Sequence, residues 1–467
     1  MYNLSLLQIA VIVVTMGAVG AVGILSGGRV KDSRDYAISG QAAGVPLLVG
    51  MHMGIVGGAA TVGASQMSFE YGLSGAWLAI GGGLACLAMG LFYASPLRES
   101  GVETIPEFIG RTHGTSAMAV TGMVSTLAMF ITVFGQVLSC IALLSATFGM
   151  NASLATVISV GLMITHVFFG GAWGAGLVGI FKSVLLYFTL AVAGVVVLRL
   201  FGGFAGIKNA FPEYPWLSLF GRGVAKDLAA ALSVVIGLLS TQMHLQVMFA
   251  GRDVATCRRA SFIAAVLIPP TGFVCALAGM YMRMAQPGLD ASHALPAFLL
   301  DYLGPVIGVL GVVSLLLAVV GTGAGLAHSM SIIVAKDIYG RLLKKNAADQ
   351  QLLAVSRIAV VTILALGALI ATSNLKSMIL SWAYLSLGLR GSAIFLPLLV
   401  ALFMTERLPS WVGLISTSAG PLAILFYRVF LRGEADPVYV GIAASALALG
   451  AGMIVAKNSH NSRGAAH

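Results

Sequence analysis

Residues 44–67 read GVPLLVGMHMGIVGGAATVGASQM. The run is long enough to cross a bilayer, since a spanning helix takes about 20 apolar residues. It is also weak in the middle. Gly54, Gly57 and Gly58 crowd its centre, and each glycine in a helix interior costs roughly 0.5–1 kcal/mol relative to alanine. A second stretch matches it. Residues 228–250 begin as an apolar helix and end in Ser240, Thr241, Gln242, His244 and Gln246. Two interrupted hydrophobic segments at corresponding places in two halves of a chain point to a transporter binding site. Five spans counted from each occupy 44–200 and 228–404, a spacing that allows two inverted five-helix repeats. No sequence symmetry between the halves is visible.

The rest of the chain agrees. Of 467 residues, 58% are hydrophobic and 9% charged, against about 25% charged in a soluble domain. Mean hydropathy is +0.98. These values exclude a soluble enzyme, a disordered chain and a nucleic-acid-binding module. They predict an all-α polytopic membrane protein. The apolar runs are continuous rather than alternating, which argues against a β-barrel, and the 58 glycines suit closely packed membrane helices. Breaks between runs predict 13 spans: 4–26, 44–66, 74–96, 117–148, 152–170, 174–200, 228–250, 260–284, 304–334, 354–373, 378–404, 410–430 and 437–456. The first is an extra N-terminal helix, with no basic segment ahead of it, and reads as retained rather than cleaved. The last two, within 410–456, are peripheral. Residues 201–226 carry Phe211, Tyr214, Trp216 and Phe220 and read as an interfacial segment. Cys86, Cys140, Cys257 and Cys275 show neither a disulfide framework nor a metal spacing.

Net charge is +10. With the C-terminus in the cytoplasm, 16 of the 26 Lys and Arg fall on the inner side, among them Arg98, Arg252, Lys336, Lys345, Arg407, Lys457 and Arg463. Eight fall outside, among them Arg222, Arg283, Lys376 and Arg432. This bias predicts a plasma or inner membrane protein with its N-terminus outside, its basic loops against anionic lipid, and no nucleic-acid partner. Lys182 and Arg390 remain within spans.

Arg390 lies about 12 residues from either end of its run, near the bilayer centre at about 1.5 Å per residue. Arginine there costs about 2.5–3.5 kcal/mol on insertion scales, so it should face a cavity or a partner. Its planar fork suits a carboxylate or phosphate. One reading is contact with an anionic solute; the other is a bond to helix-end carbonyls or an acid, though no acid lies deep in any span. His52 and His244 sit one on each interrupted segment. Each is either a proton-coupling residue or a satisfied packing residue. Their neighbours Met51, Met53 and Met243 also fit soft copper(I) coordination, although methionine in an apolar helix ordinarily packs. Thr241, Gln242 and Gln246 are expected to line a solute cavity, with 242 and 246 on one helical face. The Gly321–Gly325 GxGxG lies inside an apolar span and reads as close packing, not as a nucleotide fingerprint. Without an HExxH, GxSxG or Walker motif, no enzyme is expected.

Several stretches resemble the sodium/solute symporter family. They are Asp35-Tyr36-Ala37-Ile38-Ser39-Gly40, Tyr71-Gly72-Leu73-Ser74-Gly75, Glu103-Thr104-Ile105-Pro106-Glu107-Phe108, Gln246 with Ala250-Gly251-Arg252-Asp253, Ala318-Val319-Val320-Gly321-Thr322, and Ala335-Lys336-Asp337-Ile338-Tyr339. The resemblance covers roughly residues 30–430. It implies a LeuT-type fold of two inverted five-helix repeats plus peripheral helices, and sodium-coupled uptake of a small organic solute by alternating access. It implies a sodium ion held by the carbonyls of Met53, Val56 and Ala318 and the hydroxyl of Thr322. The chain departs from the pattern twice. Gly321 stands where the family has a second hydroxyl, and Lys182 lies in Val178-Gly179-Ile180-Phe181-Lys182, where the family often has an acid-bearing segment. Lys182 is either a fixed charge near the inner pathway or a side chain that reaches the cytoplasmic face. Ala59 and Ala60 replace the polar residues of sugar-carrying relatives, which argues against a sugar. Arg390 favours an organic anion such as a carboxylate. A proton-coupled or sodium-independent carrier of the same fold, and a membrane-embedded solute sensor without transport, remain as alternatives. Oligomeric state is not legible.

Overall fold

The computed structural model describes residues 6–344, 346–375, 377–404, 409–431 and 436–464. Among these, eleven helices are long and apolar enough to cross a bilayer, and two shorter apolar helices, Val45–Ile55 and Ala152–Val167, complete the expected thirteen spans. The surface is the reverse of a soluble protein's. Val14, Val184, Val266, Leu369 and Leu447 on the outer faces are 68–74% exposed, while Ser, Thr, Gln and His side chains crowd the interior. In a bilayer that exposed apolar belt faces lipid.

Helix α1 (Leu6–Leu25) packs on the outside of the bundle. The first interrupted span is α2 (Val45–His52), a tight turn at Met53–Ile55, an unwound stretch at 56–58 and then helix again, through a wider turn at Ala59–Gly63, into α3 (Ala64–Tyr71). Helix α4 (Trp77–Ala88) continues to Glu99. Helix α5 (Ile105–Phe148) starts twelve residues before the expected 117. Thr104 caps it by accepting from the Glu107 N–H at 3.2 Å, and Pro106 occupies its first turn. The charges at Glu107 and Arg111 hide this amphipathic start from a hydropathy reading. The chain then bends at Gly114, which adopts φ 84°, before the membrane part begins.

Helices α6 (Ala152–Val167) and α7 (Gly171–Phe201) follow. Residues 201–226 form a short helix, Gly203–Ala210, and turns that fold back onto the Tyr71–Trp77 corner. Leu73 N–H donates to the Trp216 carbonyl at 2.9 Å, and Trp77 Nε1 donates to the Leu219 carbonyl at 2.7 Å. The second interrupted span is α8 (Val224–Leu238), a break at 239–241, and α9 (Gln242–Ala250). Then come α10 (Val254–Ala285), α11 (Pro305–Ile332, wound on to Leu343), α12 (Asp349–Thr372), α13 (Ile379–Arg390, wound on to Phe403), α14 (Ser410–Phe426) and α15 (Pro437–Gly464). Asp253 caps α10 by accepting from the Thr256 N–H at 2.7 Å. That bond, the Thr256 hydroxyl and the nearby Arg252 charge hold its carboxyl below the usual range.

The two interrupted spans meet. Ala43, just before α2, pairs with Gly251, just after α9, through N–H···O bonds of 3.1 Å to Ala250 and from Arg252. Around them α5, α7, α10, α11 and α13 form the scaffold. Charged side chains gather in two groups. Arg34 and Lys336 pair with Glu103, Arg341 with Glu107, and Arg98 reaches the Gly251 and Arg252 carbonyls at one face; Arg222–Asp227 and Arg283–Glu70 lie at the other. Lys345, Lys376, Arg407 and Arg432 lie outside the described residues, and Lys457 and Arg463 are described in backbone only.

Candidate functional site

The break in the first interrupted span is held open by its neighbours. Thr322 Oγ1 donates to the Gly54 carbonyl at 2.8 Å, and Gln136 Oε1 accepts from the Gly58 N–H at 2.8 Å. These bonds replace helical ones that the unwound backbone has lost. Gly57 is required by close approach: a β-carbon there would collide with the Thr322 side chain. In the second span the break is sealed locally, by Ser240 Oγ on the Ile236 carbonyl and Thr241 Oγ1 on the Gly237 carbonyl.

Two small cavities flank Gly54, which lines both. The central cavity lies among α5, α8, α9, α11, α13 and the first break, and Ala59, Thr132, Gln136, His244, Thr322 and Arg390 face it. Arg390 is 1% exposed. Its Nε donates to the Ser386 carbonyl at 3.3 Å and its Nη2 to Thr132 Oγ1 at 3.2 Å. Nη1 has no protein partner, and neither has His244 Nδ1. An unpaired buried donor costs about 1–3 kcal/mol, more when charged. A guanidinium with a free N–H and an imidazole with a free nitrogen on one cavity are therefore arranged for an acceptor that arrives from outside. The cavity measures about 30 Å³, enough for ordered water and too small for an organic solute. Solute binding therefore requires the cavity to widen.

The inner cavity is lined by Lys182, His166, Gln246, His328 and Ser329, with Met243 against Gly54. Lys182 is 2% exposed, and its Nζ donates to the Val56 carbonyl at 3.3 Å. Gln246 is fixed at both ends, donating to the Ala37 carbonyl and accepting from Ser329 Oγ at 2.8 Å. His328 meets Tyr36 edge-on at 4.7 Å.

The expected site residues divide. Arg390, His244, Ala59 and Thr322 come together on the central cavity. Gln242 does not: its amide is used by the start of α5, accepting from the Ile105 N–H at 2.7 Å and donating to the Glu103 carbonyl at 2.9 Å. Thr241 is spent on its own helix, and Ala60 is buried beside the cavity without facing it. His52 lies away from both cavities, with Nε2 3.0 Å from Ser261 Oγ and Nδ1 3.8 Å from Cys86 Sγ. Helical spacing located these residues along the chain but not around the helix axis. Among the sodium ligands implied by resemblance, the Met53 carbonyl accepts from the Val56 N–H at 3.0 Å and the Val56 carbonyl holds Lys182. Ala318 is buried within unbroken α11. Lys182 does not reach the surface.

Thr132, Gln136, His166, His328 and Ser329 were not singled out. Thr132 and Gln136 are four apart in an apolar run, one polar face on an otherwise apolar helix, and that spacing is a usable signal. Among the described residues, no three His, Cys, Asp or Glu side chains gather as a metal cluster.

A sequence model of the sodium:solute symporter family matches residues 37–410. The high-affinity proline transporter of Bacillus subtilis (strain 168) is 23% identical over 92% of this chain and 94% of its own length. The sodium/proline symporter of Escherichia coli (strain K12) is 22% identical over 88% and 85%. Among solved structures, a substrate-bound, outward-open Na⁺-coupled sialic acid symporter superposes with a TM-score of 0.80 at 16% identity, covering 97% of this chain and 98% of that one. Mhp1, a nucleobase-cation-symport-1 family transporter, gives 0.61 at 13% identity over 91% and 95%. These likenesses show a LeuT-like fold.

Proposed function

The chain belongs to the sodium:solute symporter family, and from that premise we propose that it carries a small organic solute bearing a carboxylate across the cell membrane by alternating access. It is a multi-pass membrane transporter and not an enzyme. Family membership implies sodium and a small solute as its partners. The observation that carries the solute class is the pair of unpartnered atoms, Arg390 Nη1 and His244 Nδ1, on the central cavity. A carboxylate would accept from the guanidinium in a charge-assisted bond. The relatives' solutes support this reading, because proline and sialic acid each carry a carboxylate. The repeats would be 44–200 and 228–404, rocking about the two breaks, with the N-terminus outside and the C-terminus in the cytoplasm.

The test is thermal stability of the purified protein against a panel of carboxylates, amino acids and sugars. A ligand at a hundred times its Kd stabilises the folded state by about 2.7 kcal/mol. Arg390→Gln is expected to remove the response to a carboxylate while sparing any response to an uncharged solute. Equal losses for both would assign Arg390 a structural role instead. Uptake of the stabilising solute into vesicles separates a carrier from a sensor.

A further inference from the structure

The turn that ends the first half-helix is approached by a cation of the protein's own. Residues 45–55 end at the negative end of a helix dipole, where the Gly54 carbonyl accepts from Thr322 Oγ1 at 2.8 Å. The Val56 carbonyl is the next along, and Lys182 on α7 brings its ammonium to it at 3.3 Å. The lysine stem passes Gly321 on α11: a β-carbon at that position would lie 3.7 Å from Lys182 Cδ and 3.3 Å from His166 Nε2. So α11 offers one hydroxyl here, Thr322, which already donates to Gly54, and beside it no side chain at all. Gly321 and Lys182, 139 positions apart by their numbers, are neighbours in space.

Sodium is a hard cation that needs several oxygens at once. An ammonium has three donors and no acceptor, so it seeks the same atoms. As they stand these residues do not form a sodium site, because an ammonium already stands against the Val56 oxygen and repels a second cation. The inner cavity adds no negative charge to hold a second cation: its titratable groups are Lys182, His166 and His328, and no Asp or Glu lines it. We propose that the Lys182 ammonium is a built-in cation standing at the sodium position, and that sodium binds there only by displacing it. The inference rests on reading the Met53–Val56 turn and Thr322 as the family's cation position. It follows that Lys182 ties the first break to α7 without a bound ion, and that sodium acts only at high concentration.

The experiment needs no solute. Purified full-length protein is heated in NaCl or KCl at equal ionic strength, and the sodium concentration giving half of the sodium-specific rise in Tm is read. Lys182→Met keeps the stem and removes the charge; its midpoint is expected at least tenfold below that of the native protein, and a native protein with no response beside a responsive variant supports the proposal equally. Equal midpoints, or no sodium response in either, overturn it. Should Lys182→Met fail to fold, Lys182→Gln carries the same comparison, and Gly321→Ser added to either variant restores a hydroxyl and lowers the midpoint further. Failure here leaves the Arg390 reading standing, and failure of every carboxylate to bind leaves this one standing.

Discussion

Arg390 and Lys182 are both basic side chains sunk in membrane-spanning helices without an acid beside them, and they sit on two cavities that share Gly54. Their surroundings differ in one respect. Arg390 is anchored on one edge by Thr132 and Ser386, lines the central cavity and keeps Nη1 without a protein partner. Lys182 has its head on a backbone carbonyl at the end of a half-helix. A buried cation with a free donor awaits an anion; a buried cation on an unwound carbonyl does the work of an ion. The charge alone does not distinguish these roles. What distinguishes them is whether the nearest group is a cavity or an acceptor.

That contrast can be broken by substitution. The largest effect is expected for Arg390→Gln: loss of a charge-assisted bond in a buried cavity costs about 3 kcal/mol, roughly a hundredfold in carboxylate affinity, with the sodium midpoint unchanged. Lys182→Met is expected to do the opposite, moving the sodium midpoint tenfold or more and carboxylate affinity little. If either substitution moves both quantities together, the two cavities are one site. Thr322 touches both regions, through Gly54 and the central cavity. Thr322→Ala removes one hydrogen bond, worth about 1 kcal/mol, and should raise the sodium requirement about fivefold in the Lys182→Met background. Unchanged sodium activation there would take Thr322 out of the cation position.

His52 serves as the control, since it faces Ser261 and neither cavity. His52→Ala should lower Tm by breaking a buried hydrogen bond, at a cost of about 1–3 kcal/mol, and leave sodium and carboxylate responses as they were. The smallest effect belongs to the inner loop. Asp253 has its folded carboxyl held below the ordinary value, chiefly by the Thr256 N–H. Its contribution is therefore present above the unfolded carboxyl's value and lost as pH falls through the folded one. A Tm profile taken downward from pH 5 should fall slightly less steeply for Asp253→Asn, which keeps the cap without the charge.

Much of the architecture was legible because it depends on local quantities. Hydropathy located thirteen spans, and the fourth was misplaced at its start only because Glu107 and Arg111 sit in its first turns. Gly54, Gly57 and Gly58 marked the first break, and Ser240–Gln242 marked the second. The division of Lys and Arg between loops put Lys336 and Arg341 on one side and Arg283 on the other, but it did not say that Glu103, Glu107 and Glu70 would meet them. Gln242 and His52 show the limit. Both are polar residues on the interrupted spans, yet Gln242 is used by the 103–105 backbone and His52 by Ser261. Nothing within their own helices separates them from His244, which does face the central cavity.

The sequence by itself therefore determined the membrane fold, the two breaks and the interior position of Arg390, since apolar length, glycine content and the cost of a buried guanidinium are properties of the chain at each point. The tertiary structure alone decided which way each polar side chain turns. An amphipathic helix advertises its inward face by the contrast with its polar one. These helices are apolar on nearly every side, so rotation about the axis is set by contacts across helices, such as Lys182 with Val56 and Thr322 with Gly54.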